Sequence, residues 1–201
     1  MENGVFEQLR KNGIVTDEEF NSIYPDDIKL LSGKHWTPIA VAKTAAEFLA
    51  DKPGKKVLDI GSGVGKFCMI GAALTQGKFT GVEYRENLYQ LSVNLEKKYR
   101  LSNLEFIHDN ITNINFKDFD SFYFFNAFIE NMSESEVMDD AVEVSAQLYG
   151  KYTQYLRLQF AAMPLGTRIA TYWSNTEEIP RGYFLHSTAF EGELKMWEKL
   201  F

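Results

Sequence analysis

Apolar runs of strand length alternate with helical stretches from residue 57 onward, and that alternation leaves few architectures open. The runs cover 57–60, 79–83, 104–108, 122–126 and 168–172. Consecutive rather than alternating apolar positions mean that both faces of each strand are to be buried, as in a parallel sheet with helices on either side. Helical segments are expected near 66–76, 86–99 and 133–163, the last long enough for two helices broken near Gly150. The end is different. Residues 183–190 and 193–200 read as two strands joined at Glu191-Gly192, a connection too short for a crossover helix. The expected fold is α/β: a mostly parallel, doubly wound seven-stranded sheet ending in an antiparallel hairpin.

Ahead of this pattern, residues 1–36 are polar with scattered apolar positions and suggest two short helices, an N-terminal helical extension acting as a lid or packing element. Thr16 and Glu19 have capping-box spacing. Residues 37–201 form the main domain, opening with Thr37 as N-cap, Pro38 at the first helical position and an alanine-rich helix. A chain of 201 residues suits one such core.

Composition narrows the functions. The formal charge of -7 opposes the electrostatic attraction on which nucleic-acid binding depends, so nucleic acid is disfavoured as a partner. Cys68 is the single cysteine, which excludes an intrachain disulfide and a cysteine-based metal site, and it reads as a small buried hydrophobe. His35, His108 and His186 have no companion at ligand spacing, so no metal is expected. The first residues carry no signal-like basic and apolar pattern, and no stretch approaches the roughly 18 to 20 apolar residues of a membrane span. A cytoplasmic protein without a membrane partner is expected.

The chemistry concentrates after the first strand, in Asp59-Ile60-Gly61-Ser62-Gly63-Val64-Gly65-Lys66-Phe67, where a buried strand breaks into glycines and opens a helix. Glycines let a ligand lie against the backbone and permit the sharp turn. A phosphate loop needs one more residue before Gly-Lys and then a hydroxyl, where this chain has Phe67. A dinucleotide fingerprint needs glycine where Lys66 stands. Asp59 discriminates further, because a carboxylate before the turn repels a pyrophosphate yet suits a cationic ammonium group.

The segment resembles the first motif of the class I, seven-stranded Rossmann-like S-adenosylmethionine-dependent methyltransferases. The resemblance implies S-adenosylmethionine as cofactor, with Gly61, Ser62, Gly63 and Gly65 along it and Asp59 toward its methionine end. Glu83, at the end of the second strand and 18 residues after Gly65, stands where the family places an acid for both ribose hydroxyls. An ionised carboxylate offers acceptors only, as two hydroxyl donors require. Dehydrogenases have an acid here too. Tyr84 would cover one face of the adenine. Asp109-Asn110, after the third strand, resembles the family's adenine corner, the alternative being an Asx-type turn after a strand. Three acids at the ends of successive strands all fall on the edge where open α/β sheets bind ligands.

Asn126, at the end of the fourth strand, stands where class I enzymes face the transferred methyl, and it is the candidate for positioning the acceptor. Asn126-Ala127-Phe128 lacks both prolines of the amino-methylating Asn-Pro-Pro-aromatic motif and is closer to the Asn-x-Phe of some non-SET protein-lysine methyltransferases. Trp36-Thr37-Pro38 is similar to the aromatic-Thr-Pro element that several amino-methylating enzymes place beside the cofactor; a helix cap with a core tryptophan reads equally well. Residues 130–143 hold six acids and no lysine or arginine, either a solvated helix face or an acidic rim for a basic acceptor. The expected function is methyl transfer to an acceptor such as a protein lysine on a basic segment, another amine or a small molecule, with no residue marked as general base. The alternatives are a non-catalytic S-adenosylmethionine-binding module and a nicotinamide oxidoreductase, the latter opposed by Asp59 and the glycine spacing.

Overall fold

A computed structural model describes residues 4–30, 32, 36–125, 146–174 and 176–201. Its sheet has seven strands in the order β3-β2-β1-β4-β5-β7-β6. These are β1 (Lys56–Ile60), β2 (Lys78–Glu83), β3 (Leu104–His108), β4 (Ser121–Phe125), β5 (Arg168–Tyr172), β6 (Tyr183–Ala189) and β7 (Leu194–Lys199). β1 to β5 pair in parallel, and β7 inserts antiparallel between β5 and β6. This is the expected seven-stranded, mostly parallel sheet with an antiparallel end.

Strand order reverses at β1, with β2 on one side and β4 on the other. Open sheets bind ligands beyond the carboxyl ends of strands at such a switch point, and the glycine turn after β1 lies there. In register, Asp59 stands between Gly81 of β2 and Tyr123 of β4.

Alternate strand residues feed two cores, as a two-residue side-chain period demands. Val57, Phe79 and Tyr123 pack with α4 (Ile39–Leu49), α5 (Lys66–Leu74) and α6 (Glu86–Tyr99). Leu58, Ile60, Phe122 and Phe124 pack with Leu156 and Phe160 of α7 (Ala146–Ala161). Helix α7 runs through Gly150 without the expected break. A methyl group at Gly150 would meet nothing within 4 Å, so the glycine costs only its backbone entropy, about 0.5 to 1 kcal/mol, which packing of the buried side chains outweighs. The earlier part of that expected helical stretch lies outside the described residues.

Among the described residues the N-terminal segment contains α1 (Gly4–Arg10), α2 (Asp17–Asn21) and α3 (Asp26–Lys29), more than the two helices its apolar spacing suggests. Phe6, Leu9, Phe20 and Tyr24 are buried in the same cluster as α4 and α5. The Thr16–Glu19 capping box is present. The cap of α4 differs from expectation. The helix starts at Ile39, and the Thr37 hydroxyl is hydrogen-bonded instead to the Tyr123 hydroxyl at 2.9 Å. The Ile39 N–H donates to Oδ1 of Asp17 (3.1 Å), so a carboxylate from α2 caps α4. Among the described residues no helix is long and apolar enough to cross a membrane.

Candidate active site

The turn after β1 is built from residues with left-handed backbone: Gly61 (φ 73), Gly63 (φ 53) and Gly65 (φ 76). Two backbone N–H groups, from Gly61 and Ser62, donate to the Val82 carbonyl of β2, and Gly65 N–H closes back on Ser62. The Ser62 hydroxyl is buried with no hydrogen-bond partner among the described residues. Gly63 presents an open face, since a Cβ there would meet nothing within 4 Å.

Two carboxylates flank this turn. Asp59 is 4% exposed and accepts a hydrogen bond from the buried Cys68 thiol (3.3 Å). Burial lifts the Asp59 pKa to about 7, opposed by the Cys68 bond and assisted by the nearby charge of Glu83. Glu83 is buried too, and burial raises its pKa against the pull of the backbone N–H bonds it accepts. Gly63 N–H donates to one carboxylate oxygen (2.8 Å) and Arg85 N–H to the other (2.7 Å). The Tyr84 backbone N–H also bonds to this carboxylate and holds its pKa down, so of about four lone-pair sites at least one remains for a further donor. Glu83 therefore both shapes the turn and keeps acceptor capacity.

Farther along the edge, Tyr84 is 55% exposed. Asp109 uses one oxygen, Oδ1, to accept from the Asn110 N–H (2.6 Å) and the Asn113 side chain (2.7 Å). The Asn110 side chain caps the short turn at Ile111–Asn113 and donates to the Tyr152 hydroxyl (2.8 Å), so the Asx-type geometry is present at this corner. Asn126, Phe128 and the acidic stretch 130–143 lie outside the described residues.

On the other side of the turn is a cavity of about 240 Å³. Trp36 and Pro38 form one wall, Phe125, Tyr172 and Trp173 at the ends of β4 and β5 another, and Asp17 with Asn21 a third. Lys66 lines it next to the glycine turn. Trp173 has left-handed backbone (φ 49) and is 54% exposed, with its ring stacked on Tyr172 at 6.0 Å. A non-glycine residue held there costs about 1 to 2 kcal/mol.

A family model described as a methyltransferase domain matches residues 51–159, more than half of the chain. The chain belongs to the methyltransferase-domain family. No curated protein matches the sequence. Among solved structures, TrmN from Thermus thermophilus is similar with a TM-score of 0.58 and 19% identity, over 82% of this chain and 49% of its own. An RNA methyltransferase from Salinibacter ruber in complex with S-adenosyl-L-homocysteine gives 0.55 and 15%, over 82% of this chain and 94% of its own. The [4+2]-cyclase SpnF gives 0.52 and 14%, over 66% of this chain and 43% of its own. At these identities the likeness establishes the fold, that of class I methyltransferases. The chain spans about half the length of TrmN and less of SpnF.

Within this methyltransferase domain, the fold brings Asp59, Glu83, Tyr84 and Asp109 to one sheet edge with the glycine turn, and Trp36 to the adjoining cavity. Thr37 is turned into the core toward Tyr123. Asp17, Lys66, Tyr172 and Trp173 were not legible as site residues. Lys66 counted only against a dinucleotide fingerprint, and Asp17 is one acid of three in a capping-box helix. An aromatic pair at the end of the fifth strand was the one available signal for Tyr172 and Trp173.

Glu83→Ala is expected to lower both thermal stability and cofactor affinity, because it leaves the Gly63 and Arg85 N–H groups without their acceptor; each loss is about 1 to 3 kcal/mol. Glu83→Gln, which keeps one carbonyl oxygen, should recover part of the melting temperature while S-adenosylmethionine binding stays weak. Equal recovery of both in calorimetry would leave Glu83 a structural residue only.

Proposed function

We propose that this domain binds S-adenosylmethionine along the glycine turn and the ends of β1 to β3, and transfers its methyl group to an acceptor entering through the aromatic cavity. The observation that carries this reading is the open face of Gly63 between two buried carboxylates. Asp59 suits an ammonium group, and the free acceptor capacity of Glu83 suits a ribose diol. The unused Oδ2 of Asp109 suits an exocyclic amine, with Tyr84 beside it. Bound there, the cofactor supplies a sulfonium methyl: the acceptor's lone pair forms the new bond to carbon while the carbon–sulfur pair returns to sulfur.

The chain's own contribution is to position and to exclude water. Trp36, Phe125, Tyr172 and Trp173 wall the cavity with apolar rings, which suits the desolvated, neutral form of an amine. Asn126 follows Phe125 in sequence, and we assign it the orientation of the acceptor. An amine on a basic segment fits the net charge of -7 and the acidic stretch 130–143. RNA, the acceptor class of the Salinibacter ruber neighbour, is the second reading, and the same charge opposes it. The fold also serves a cyclase, so methyl transfer has to be measured directly.

The test is calorimetric titration with S-adenosylmethionine, S-adenosylhomocysteine and NAD, followed by transfer of labelled methyl into cell extract. Binding of the first two and not the third is expected, with label in protein or a small amine. Binding of NAD alone would overturn the reading, and label in RNA would establish the second one. Asn126→Ala should leave S-adenosylmethionine affinity within about twofold and lower turnover by roughly tenfold or more, as for a group that acts in the transition state. Unchanged turnover removes Asn126 from the site.

A further inference from the structure

Lys66 is the first residue of α5, directly after Gly65, and its side chain is 4% exposed although it lines the cavity. Its ammonium pairs with Asp17 Oδ1 at 2.5 Å. The rings of Phe20 and Trp36 stand 5.7 and 5.9 Å from the nitrogen. An ammonium carries three donors, and among the described residues only the bond to Asp17 is made. Asp17 is itself half exposed, and the same oxygen also accepts the Ile39 N–H. A buried cation with two donors unmet is costly, and desolvation accordingly lowers the Lys66 pKa while Asp17 opposes the shift. An ion pair whose task was to hold α2 in place would gain nothing from sinking its cation to the cavity wall.

Across the glycine turn stands the opposite charge. Asp59 is the second-last residue of β1, Lys66 opens α5, and the turn that presents Gly63 separates them. A ligand end carrying both an ammonium and a carboxylate, as an α-amino acid does, requires this pair of charges. Neither a ribose nor an adenine does.

We propose that Lys66 is the residue that receives the carboxylate of the ligand's amino-acid end, held ready at the cavity wall by Asp17. This rests on the reading that the domain binds S-adenosylmethionine. Asp17 keeps the ammonium charged and oriented while the cavity is free, and the incoming carboxylate takes the two unmet donors. The N-terminal segment thereby becomes part of the binding site through α2.

The experiment is calorimetry on the full chain with two ligands, S-adenosylhomocysteine and 5′-deoxy-5′-methylthioadenosine, the second lacking the amino-acid end. Wild type should prefer S-adenosylhomocysteine by about tenfold or more, as a charge-assisted contact implies. Lys66→Met should lose about tenfold for S-adenosylhomocysteine and stay within about twofold for methylthioadenosine. Lys66→Arg keeps the charge and should keep most of the preference, and Lys66→Gln replaces the Met variant should that one fail to fold. Asp17→Asn removes the carboxylate that keeps the ammonium charged and oriented, so the preference should shrink, by less than in Lys66→Met, and the melting temperature should fall. Equal losses for both ligands in Lys66→Met, or loss of the preference in Asp17→Asn alone, would overturn the proposal and make the pair a packing device. Failure of wild type to bind either ligand would instead overturn the cofactor reading, and the proposal with it.

Discussion

Gly65→Ala is expected to lower the melting temperature by roughly 5 to 15 °C, whereas Gly63→Ala should lower it by a few degrees and abolish most cofactor binding. The two glycines share a turn and a left-handed backbone, at φ 76 and φ 53, which costs an alanine about 1 to 2 kcal/mol at either position. Their surroundings separate them. A Cβ on Gly65 would lie 2.4 Å from Cζ and 2.7 Å from Cε1 of Phe106, so this buried ring would have to shift. Overpacking of that kind adds about 1 to 3 kcal/mol. A Cβ on Gly63 meets nothing, so the protein's own fold does not explain why glycine stands there beyond its dihedral angle. A ligand lying across the turn would. Thermal unfolding together with S-adenosylhomocysteine titration checks both, and wild-type affinity in a folded Gly63→Ala protein would show that nothing crosses the turn.

Asp59→Asn should make the ligand-free protein more stable at pH 8 and, at the same time, a poorer binder. The wild-type carboxyl titrates at about 7 in the folded state, raised by burial, against about 3.9 for an unfolded aspartate. Between these values the folded protein holds a proton that the unfolded chain has released, so stability falls as pH rises through the window from about 4 to about 7. The full span corresponds to a cost on the order of 4 kcal/mol above pH 7, which the amide does not incur. Glu83, whose pKa is also raised by burial, contributes in the same direction. An ammonium beside Asp59 would favour the ionised form, so wild-type affinity for S-adenosylmethionine should rise from pH 6 to pH 8, and the Asn variant should bind about 1 to 3 kcal/mol more weakly without that slope. Denaturant melts at pH 5 and pH 8, paired with binding at each pH, test this. A wild type whose stability is flat across the window would place Asp59 in contact with water, and equal affinity in the variant would take it out of the site.

How much of this was legible differs from element to element. β5 falls where its apolar run placed it, because a strand buried on both faces leaves a nearly unbroken hydrophobic signature, whereas β3, at the sheet edge with Glu105 exposed, was legible from Leu104, Phe106 and Ile107. The hairpin at β6 and β7 was legible from the shortness of its connection. Gly150 misled, because glycine's low helix propensity is a local preference of about 1 kcal/mol and the buried side chains of α7 outweigh it.

At the site, the glycine turn and the three acids could be read in advance because each is a local pattern: a strand, then a residue type at its carboxyl end. By itself the sequence determined the fold class and the acids that gather at one sheet edge, since these follow from periodicity and from residues adjacent in the chain. Only the tertiary structure decided that Asp17 caps α4 and holds Lys66, that Thr37 bonds to Tyr123 rather than to its own helix, and that Cys68 donates to Asp59. Each of these joins elements that pack together in space, and a carboxylate, hydroxyl or ammonium takes whichever partner the packing brings within about 3 Å. The same holds for the buried charge of Asp59, because a pKa is set by what surrounds the group and not by its place in the chain.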